Sequence, residues 1–150
     1  MAGAFVRTAT EADMAAVLSL IRQLAEFERQ PTAVSNTREG LMRDGFGAAP
    51  LFECLVAEKD GVILGFALFY PTYSTWSGPC LYLEDLFVID SHRRFGIGSL
   101  LFEAVLDIAR KRKVKRFSWQ VLAWNEPAIG FYKKYGTLLD SEWINCKIIP

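Results

Sequence analysis

Histidine occurs once, as His92, and cysteine only as Cys54, Cys80 and Cys146, with no C-x-x-C pair among them. That scarcity argues against a metal site and a disulfide framework, and it predicts buried thiols in a reducing compartment. A surplus of either charge is also lacking: 17 Lys and Arg balance 17 Asp and Glu. Phosphate binding rests on a basic excess, so nucleic acid is not expected as a partner. No apolar run approaches the ~20 residues that a membrane-spanning helix requires, so no membrane partner is expected either. Residues 1 to 6 are too short and too polar at their flanks for a signal peptide. Repeats, low-complexity stretches and long linkers are absent too. What is present is a chain of 150 residues, 51% apolar and 23% charged. That suffices for one soluble, cytoplasmic domain over residues 1–150.

Hydrophobic periodicity divides the chain into alternating elements. Residues 4 to 9 read as a short strand, and Thr10 stands three residues before Asp13 in an approximate capping box. Met14, Val17, Leu18, Ile21, Leu24 and Ala25 follow helical spacing up to about Arg29. A shorter helix is predicted from Thr37 to Arg43. Three apolar runs of strand length follow at 51–58, 62–70 and 80–89, the first two joined by an Asp-Gly turn. Glu84 and Asp85 interrupt the third run, and carboxylates seldom enter a central strand without a task. The strongest helical stripe runs from Ile97 to Ala109, with basic residues at its far end. A strand over 116–123, a helix from Glu126 to Tyr135 and a final strand or hairpin over 137–149 complete the order. This β-α-α-β-β-β-α-β-α-β pattern predicts a mixed α/β sheet with helices on both faces.

Arg93-Arg94-Phe95-Gly96-Ile97-Gly98 lies between a strand and that strongest helix. Two glycines let the backbone approach a ligand, with N–H groups at the helix start aimed outward, an arrangement suited to phosphate or pyrophosphate. A tight turn that binds nothing uses the same residues. The P-loop pattern is absent, and Leu101 stands where a dinucleotide fingerprint requires a small residue.

Arg-x-x-Gly-x-Gly resembles the acetyl-CoA pyrophosphate loop of the GNAT acetyltransferases. Trp124-Asn125-Glu126-Pro127, followed by Gly130 to Gly136, is similar to that family's second cofactor element. Leu81 to Val88 is similar to its central, splayed strand. Within the superfamily the chain resembles the diamine (spermidine/spermine) N1-acetyltransferases. Matching segments are Leu24 to Glu28, Asp44 to Gly47, Cys54 to Glu58, Tyr82 to Asp85, Phe95 to Ser99 and Trp124 to Pro127. The likeness spans nearly the whole chain in one register. It implies the GNAT fold, a mostly antiparallel sheet of about seven strands with a V-shaped splay.

The same resemblance implies acetyl transfer from acetyl-CoA, without a metal, to a primary amine of a small substrate. An alkyl amine has a pKa near 10.4, so such a site must remove a proton, stabilise an oxyanion and protonate the leaving thiolate. By resemblance Glu84 is the candidate base, directly or through a water, and Tyr132 the candidate acid. Salt-bridged carboxylate and core aromatic are the plainer readings of these two residues. The resemblance further implies that the backbone of Leu86, Phe87 and Val88 pairs with the pantetheine arm. Arg93, Arg94, Phe95, Gly96, Ile97, Gly98 and Ser99 hold the pyrophosphate, and Asn125 and Pro127 belong to the other cofactor contact. Phe27, Glu28, Trp119 and Gln120 are implicated at the acceptor amine, with Trp76 at the entrance. Asp85 and Tyr135 read as structural, and His92 as a surface residue. The family also implies a homodimer, with Trp143 to Ile149 as part of the contact.

Two departures bear on substrate. Polyamine acetyltransferases carry an acidic residue shortly before the tryptophan matching Trp76; here the neighbourhood reads Tyr73-Ser74-Thr75. Arg94 stands where those enzymes have glycine. With the neutral overall charge, a short diamine or a thialysine-like amino acid fits at least as well as spermine. A catalytically silent coenzyme A sensor and a protein N-terminal or lysine acetyltransferase are the alternative readings.

Overall fold

The computed structural model describes residues 3–150; Met1 and Ala2, the start of the stretch read as no signal peptide, lie outside the described residues. The strands are β1 (Phe5–Thr8), β2 (Glu53–Lys59), β3 (Val62–Ser74), β4 (Gly78–Val88) and β5 (Phe117–Ser118). The helices are α1 (Met14–Phe27), α2 (Arg38–Phe46), α3 (Ile97–Lys111) and α4 (Glu126–Lys133). Residues up to Trp119 form one compact unit and Gln120–Pro150 a second.

In the first unit the five strands lie in sequence order in one sheet. The first three pairings are antiparallel, and β5 pairs parallel to β4. The β2–β3 turn follows the Asp-Gly signal: Asp60 and Gly61 both take positive φ, 51° and 77°, the combination a tight two-residue hairpin requires. Cross-strand rows then assign each face. Val56, Phe66 and Phe87 stand side by side, as do Cys54 and Leu68. These residues pack with Met14, Val17, Leu18 and Leu20 of α1 and Leu41 of α2. Burying a side chain such as Phe66, fully removed from solvent, contributes roughly 2–3 kcal/mol. The opposite face carries the row Ala57–Gly65–Val88. There α3 lies so close that a Cβ on Gly65 would meet Leu101 at 3.2 Å and the Phe87 carbonyl at 2.7 Å. Helices therefore cover both faces, as the sequence pattern predicts.

The capping box at the head of α1 is present, with the Thr10 N–H donating to Asp13 at 2.7 Å. Arg7 also donates two bonds to Asp13, at 2.8 and 3.0 Å, and its guanidinium holds that buried carboxyl down at about 2.

Four expectations need correction. Five strands form among the described residues, not about seven. The strand read over 116–123 is only Phe117–Ser118, and no strand forms over 137–149. A strand exists only through pairing, and apolar content along one segment does not report whether a partner edge is present. Leu138, Trp143, Ile144, Ile148 and Ile149 accordingly stand exposed. Cys54 and Cys80 are buried thiols as expected, but Cys146 lies in that same segment and is exposed. No helix is long and apolar enough to cross a membrane among the described residues.

Candidate active site

The carboxylates of β4 owe their placement to a bulge. Leu68 pairs with Asp85 and the next residue, Phe69, pairs with Leu83, which leaves Glu84 as the extra residue without a β3 partner. Regular alternation would turn Glu84 and Asp85 to opposite faces. The two-for-one count instead brings both to the α1 side. Asp85 there extends the row Cys54–Leu68. Glu84 is exposed, and its Oε2 accepts a 3.0 Å hydrogen bond from the Tyr70 hydroxyl. Tyr70 itself pairs across the strands with Tyr82, their rings 5.5 Å apart.

Burial pushes the Asp85 carboxyl up to about 7, and the charges of Glu84 and Glu28 add to the shift. Glu28, just past the end of α1, is half-buried and is also raised by desolvation. Burial, with the bond to Glu84 behind it, raises Tyr70 to about 12, so its hydroxyl stays a donor at neutral pH. Three carboxylates and two phenols thus share one corner of the sheet. Such a corner attracts an ammonium group and can accept its proton.

Arg93 closes the other side of this corner. Its Nε donates to the Val88 carbonyl at 3.0 Å, and its Nη1 lies 3.3 Å from Asp90. The guanidinium stacks 4.8 Å from the Phe27 ring centroid and 5.1 Å from that of Phe87. Its side chain therefore ties β4 to the end of α1.

The turn itself has the shape of an anion cradle. Arg94 and Gly96 both take left-handed φ, 70° and 82°. A Cβ at Gly96 would meet nothing within 4 Å, so the glycine is there for its backbone. Helix α3 begins directly after it, and the first-turn N–H groups of Ile97, Gly98 and Ser99 have no carbonyl one turn earlier to bond. They present the positive end of the helix dipole, which fits a pyrophosphate. Arg94 and Phe95 are exposed beside them.

Along β4, the Ile89 N–H donates to Leu64, so alternation turns the Leu86 and Val88 N–H groups away from β3. The Phe87 N–H faces Phe66 instead, which leaves two of the three expected backbone groups on the open edge. Beyond Tyr82 this edge pairs with no strand among the described residues, because β5 meets only Leu81 and Tyr82.

Other candidates lie elsewhere in the first unit. Trp76 is 93% exposed in the β3–β4 turn. Trp119 is half-buried and meets Phe102 of α3 edge-on at 5.2 Å, which is packing on the opposite face. His92 Nδ1 sits 2.9 Å from the Ser91 hydroxyl.

In the second unit, Asn125 caps α4, its Oδ1 accepting from the Ala128 N–H at 3.3 Å, and Pro127 occupies the first turn. Tyr132 is buried on this helix, with its ring 5.3 Å from that of Phe131. Its carbonyl accepts a 2.6 Å bond from Thr137. Gln120 donates to the Asn145 side chain at 2.7 Å.

The model of the Acetyltransferase (GNAT) family matches residues 16–137. The chain belongs to the GNAT acetyltransferase family. Thialysine N-epsilon-acetyltransferase from Mus musculus is 38% identical to it, with 97% of this chain and 92% of the relative covered. Spermidine/spermine N(1)-acetyltransferase-like protein 1 from Homo sapiens is 37% identical, over 91% of this chain but only 21% of that longer protein. The crystal structure of an aminoglycoside acetyltransferase from an uncultured soil metagenomic sample superposes with a TM-score of 0.81 at 19% identity, covering 99% of this chain and 97% of that one. At that identity the superposition speaks for the fold. This GNAT acetyltransferase is therefore an enzyme of acetyl transfer to amines.

Sequence reasoning missed three members of the corner, Tyr70, Tyr82 and Asp85. Tyr70 and Tyr82 sit in apolar runs, where nothing in the pattern singles them out. Asp85 reads as an anchor because alternation was assumed, and only the bulge brings it beside Glu84. The consecutive carboxylates were the one available signal.

Proposed function

We propose that this GNAT acetyltransferase moves the acetyl group of acetyl-CoA to a primary amine of a small substrate, a diamine or a thialysine-like amino acid. The observation that carries this reading is the β4 bulge, which gathers Glu84 and Asp85 beside Glu28 on the α1 side. The pyrophosphate is held by the N–H groups from Arg94 to Ser99, and the pantetheine arm lies along the Leu86 and Val88 edge. Asn125 and Pro127 supply the contact from α4. Glu84 takes the proton from the ammonium, directly or through a water, and the neutral amine attacks the thioester carbonyl. An N–H on the β4 edge bonds the developing oxyanion. As the C–S bond breaks, Tyr132 donates its proton to the coenzyme A thiolate, while the second proton of the attacking nitrogen passes to water, from which the Tyr132 phenolate is reprotonated.

Phe27 and Glu28 receive the acceptor, its cation drawn by carboxylates and its stem lying on the aromatic ring. The β3–β4 turn offers Ser74 and Thr75 hydroxyls and no carboxylate to a second ammonium group. That favours a short amine over spermine. The relatives named for thialysine and for spermidine/spermine bracket this substrate class. Residues 1–150 act as a single cytoplasmic domain, and the exposed apolar residues from Trp143 to Ile149 supply part of the contact in a homodimer. A monomer mass by light scattering would reject that pairing.

The deciding assay measures coenzyme A thiol release from acetyl-CoA with putrescine, spermidine, spermine, lysine, thialysine and an N-terminal peptide. Glu84→Gln and Tyr132→Phe run in parallel. Turnover on a small amine, falling at least about tenfold in each variant, is expected. Acetyl-CoA binding with no turnover on any acceptor would replace the reading with a silent sensor, and turnover on the peptide alone would make it a protein acetyltransferase.

A further inference from the structure

We propose that Tyr70 is a positioning residue that fixes Glu84 as the base, a role that rests on the reading of Glu84 given above. Glu84 needs such a partner. As the bulged residue it has no cross-strand neighbour on β3, and it is exposed, so its side chain has several rotamers open to it. Tyr70 removes that freedom. Its ring is fixed against Tyr82 in a cross-strand pair, 5.5 Å between centroids, and its hydroxyl donates to Glu84 Oε2 at 3.0 Å.

The bond also sorts the two carboxylate oxygens. Oε2 is held by the phenol, and Oε1 is the oxygen that takes the proton from the substrate ammonium. The Tyr70 proton stays on its own oxygen throughout. No proton passes through Tyr70 in either direction, so it is not a catalytic residue. It aims the residue that is.

A double-variant cycle tests this, using acetyl-CoA and whichever amine of the panel turns over fastest. Tyr70→Phe keeps the ring against Tyr82 and deletes only the hydroxyl. The expected result is a fall in kcat of about tenfold, with KM for acetyl-CoA changed less than about twofold, since binding at the α3 turn is untouched. In the Glu84→Gln background, the same change should alter kcat by less than about twofold, because the residue being aimed no longer acts as a base. Ser19→Ala, which removes an exposed hydroxyl on α1, serves as the control and should behave as wild type.

Effects that multiply in the double variant would show that Tyr70 acts apart from Glu84 and would overturn the proposal. A Tyr70→Phe enzyme with wild-type kcat would overturn it as well. Glu84→Gln at wild-type rate would instead remove Glu84 as the base, and the proposal would fall with that reading. The two failures are thus read from different variants.

Discussion

The Arg93 guanidinium lies 4.8 Å from the Phe27 ring centroid while its Nε donates to the Val88 carbonyl at 3.0 Å. One side chain thereby joins the end of α1, where the acceptor amine is proposed to sit, to the β4 edge proposed for pantetheine. Arg93→Met keeps much of the apolar stem but leaves the Val88 carbonyl without this donor. A loss of about 1–3 kcal/mol is expected by urea denaturation. KM for the amine should rise more than KM for acetyl-CoA, because the displaced group is Phe27. A rise confined to acetyl-CoA would return Arg93 to the pyrophosphate.

Arg94 is the complementary case, an exposed cation with φ at 70°. A β-carbon in that region costs roughly 1 kcal/mol, partly offset for glycine by the larger entropy of its unfolded chain. Arg94→Gly should therefore leave stability unchanged or raise it by up to about 1 kcal/mol. Meanwhile loss of the charge beside the cradle should weaken acetyl-CoA binding several-fold at low salt and less at high salt. Isothermal titration at two ionic strengths separates these effects. Unchanged affinity at both would leave the backbone as the whole of the cradle.

Much of this was legible before any coordinates. The helical stripe from Met14 to Ala25 and the Asp60-Gly61 turn carry local signals, capping, spacing and φ preference, that act wherever the segment lies. The glycine turn was legible for the same reason, since Gly96 answers a backbone demand. The later chain was not. Pairing decides whether Phe117 to Ala123 or Trp143 to Ile149 form strands, and pairing is a relation between segments.

The corner divides along the same line. Glu84 stood out because a charge inside an apolar run is anomalous in one dimension. Asp85 did not, because its role turns on the register of β4 against Leu68 and Phe69, which no single strand records. Arg93 shows the same limit: its motif marks where the backbone turns, while its bond to the Val88 carbonyl and its stacking on Phe27 and Phe87 depend on other segments.

Asp85 supplies the sharpest pH prediction. Its carboxyl is pushed up from 3.8 to about 7 by burial, then by Glu84 on its own strand and Glu28 past α1, with Cys54, Tyr70 and Tyr82 also near this carboxylate. Between those two values the folded chain binds more protons than the unfolded one. Stability from this group is therefore fully present below about pH 4 and is lost as pH rises through about 7. The full shift corresponds to about 4 kcal/mol, and water at a half-buried carboxyl reduces it to about 2–3 kcal/mol. Asp85→Asn keeps the shape and removes the titration. Its stability relative to wild type should improve between pH 4 and pH 8 by that amount, measured by urea denaturation at each pH. If the difference between the two proteins stays constant across that range, Asp85 does not titrate there. The same variant should raise KM for the amine, since one of the three carboxylates that draw the ammonium has lost its charge. Greater stability with weaker substrate binding would mark Asp85 as a group kept for function at the expense of the fold.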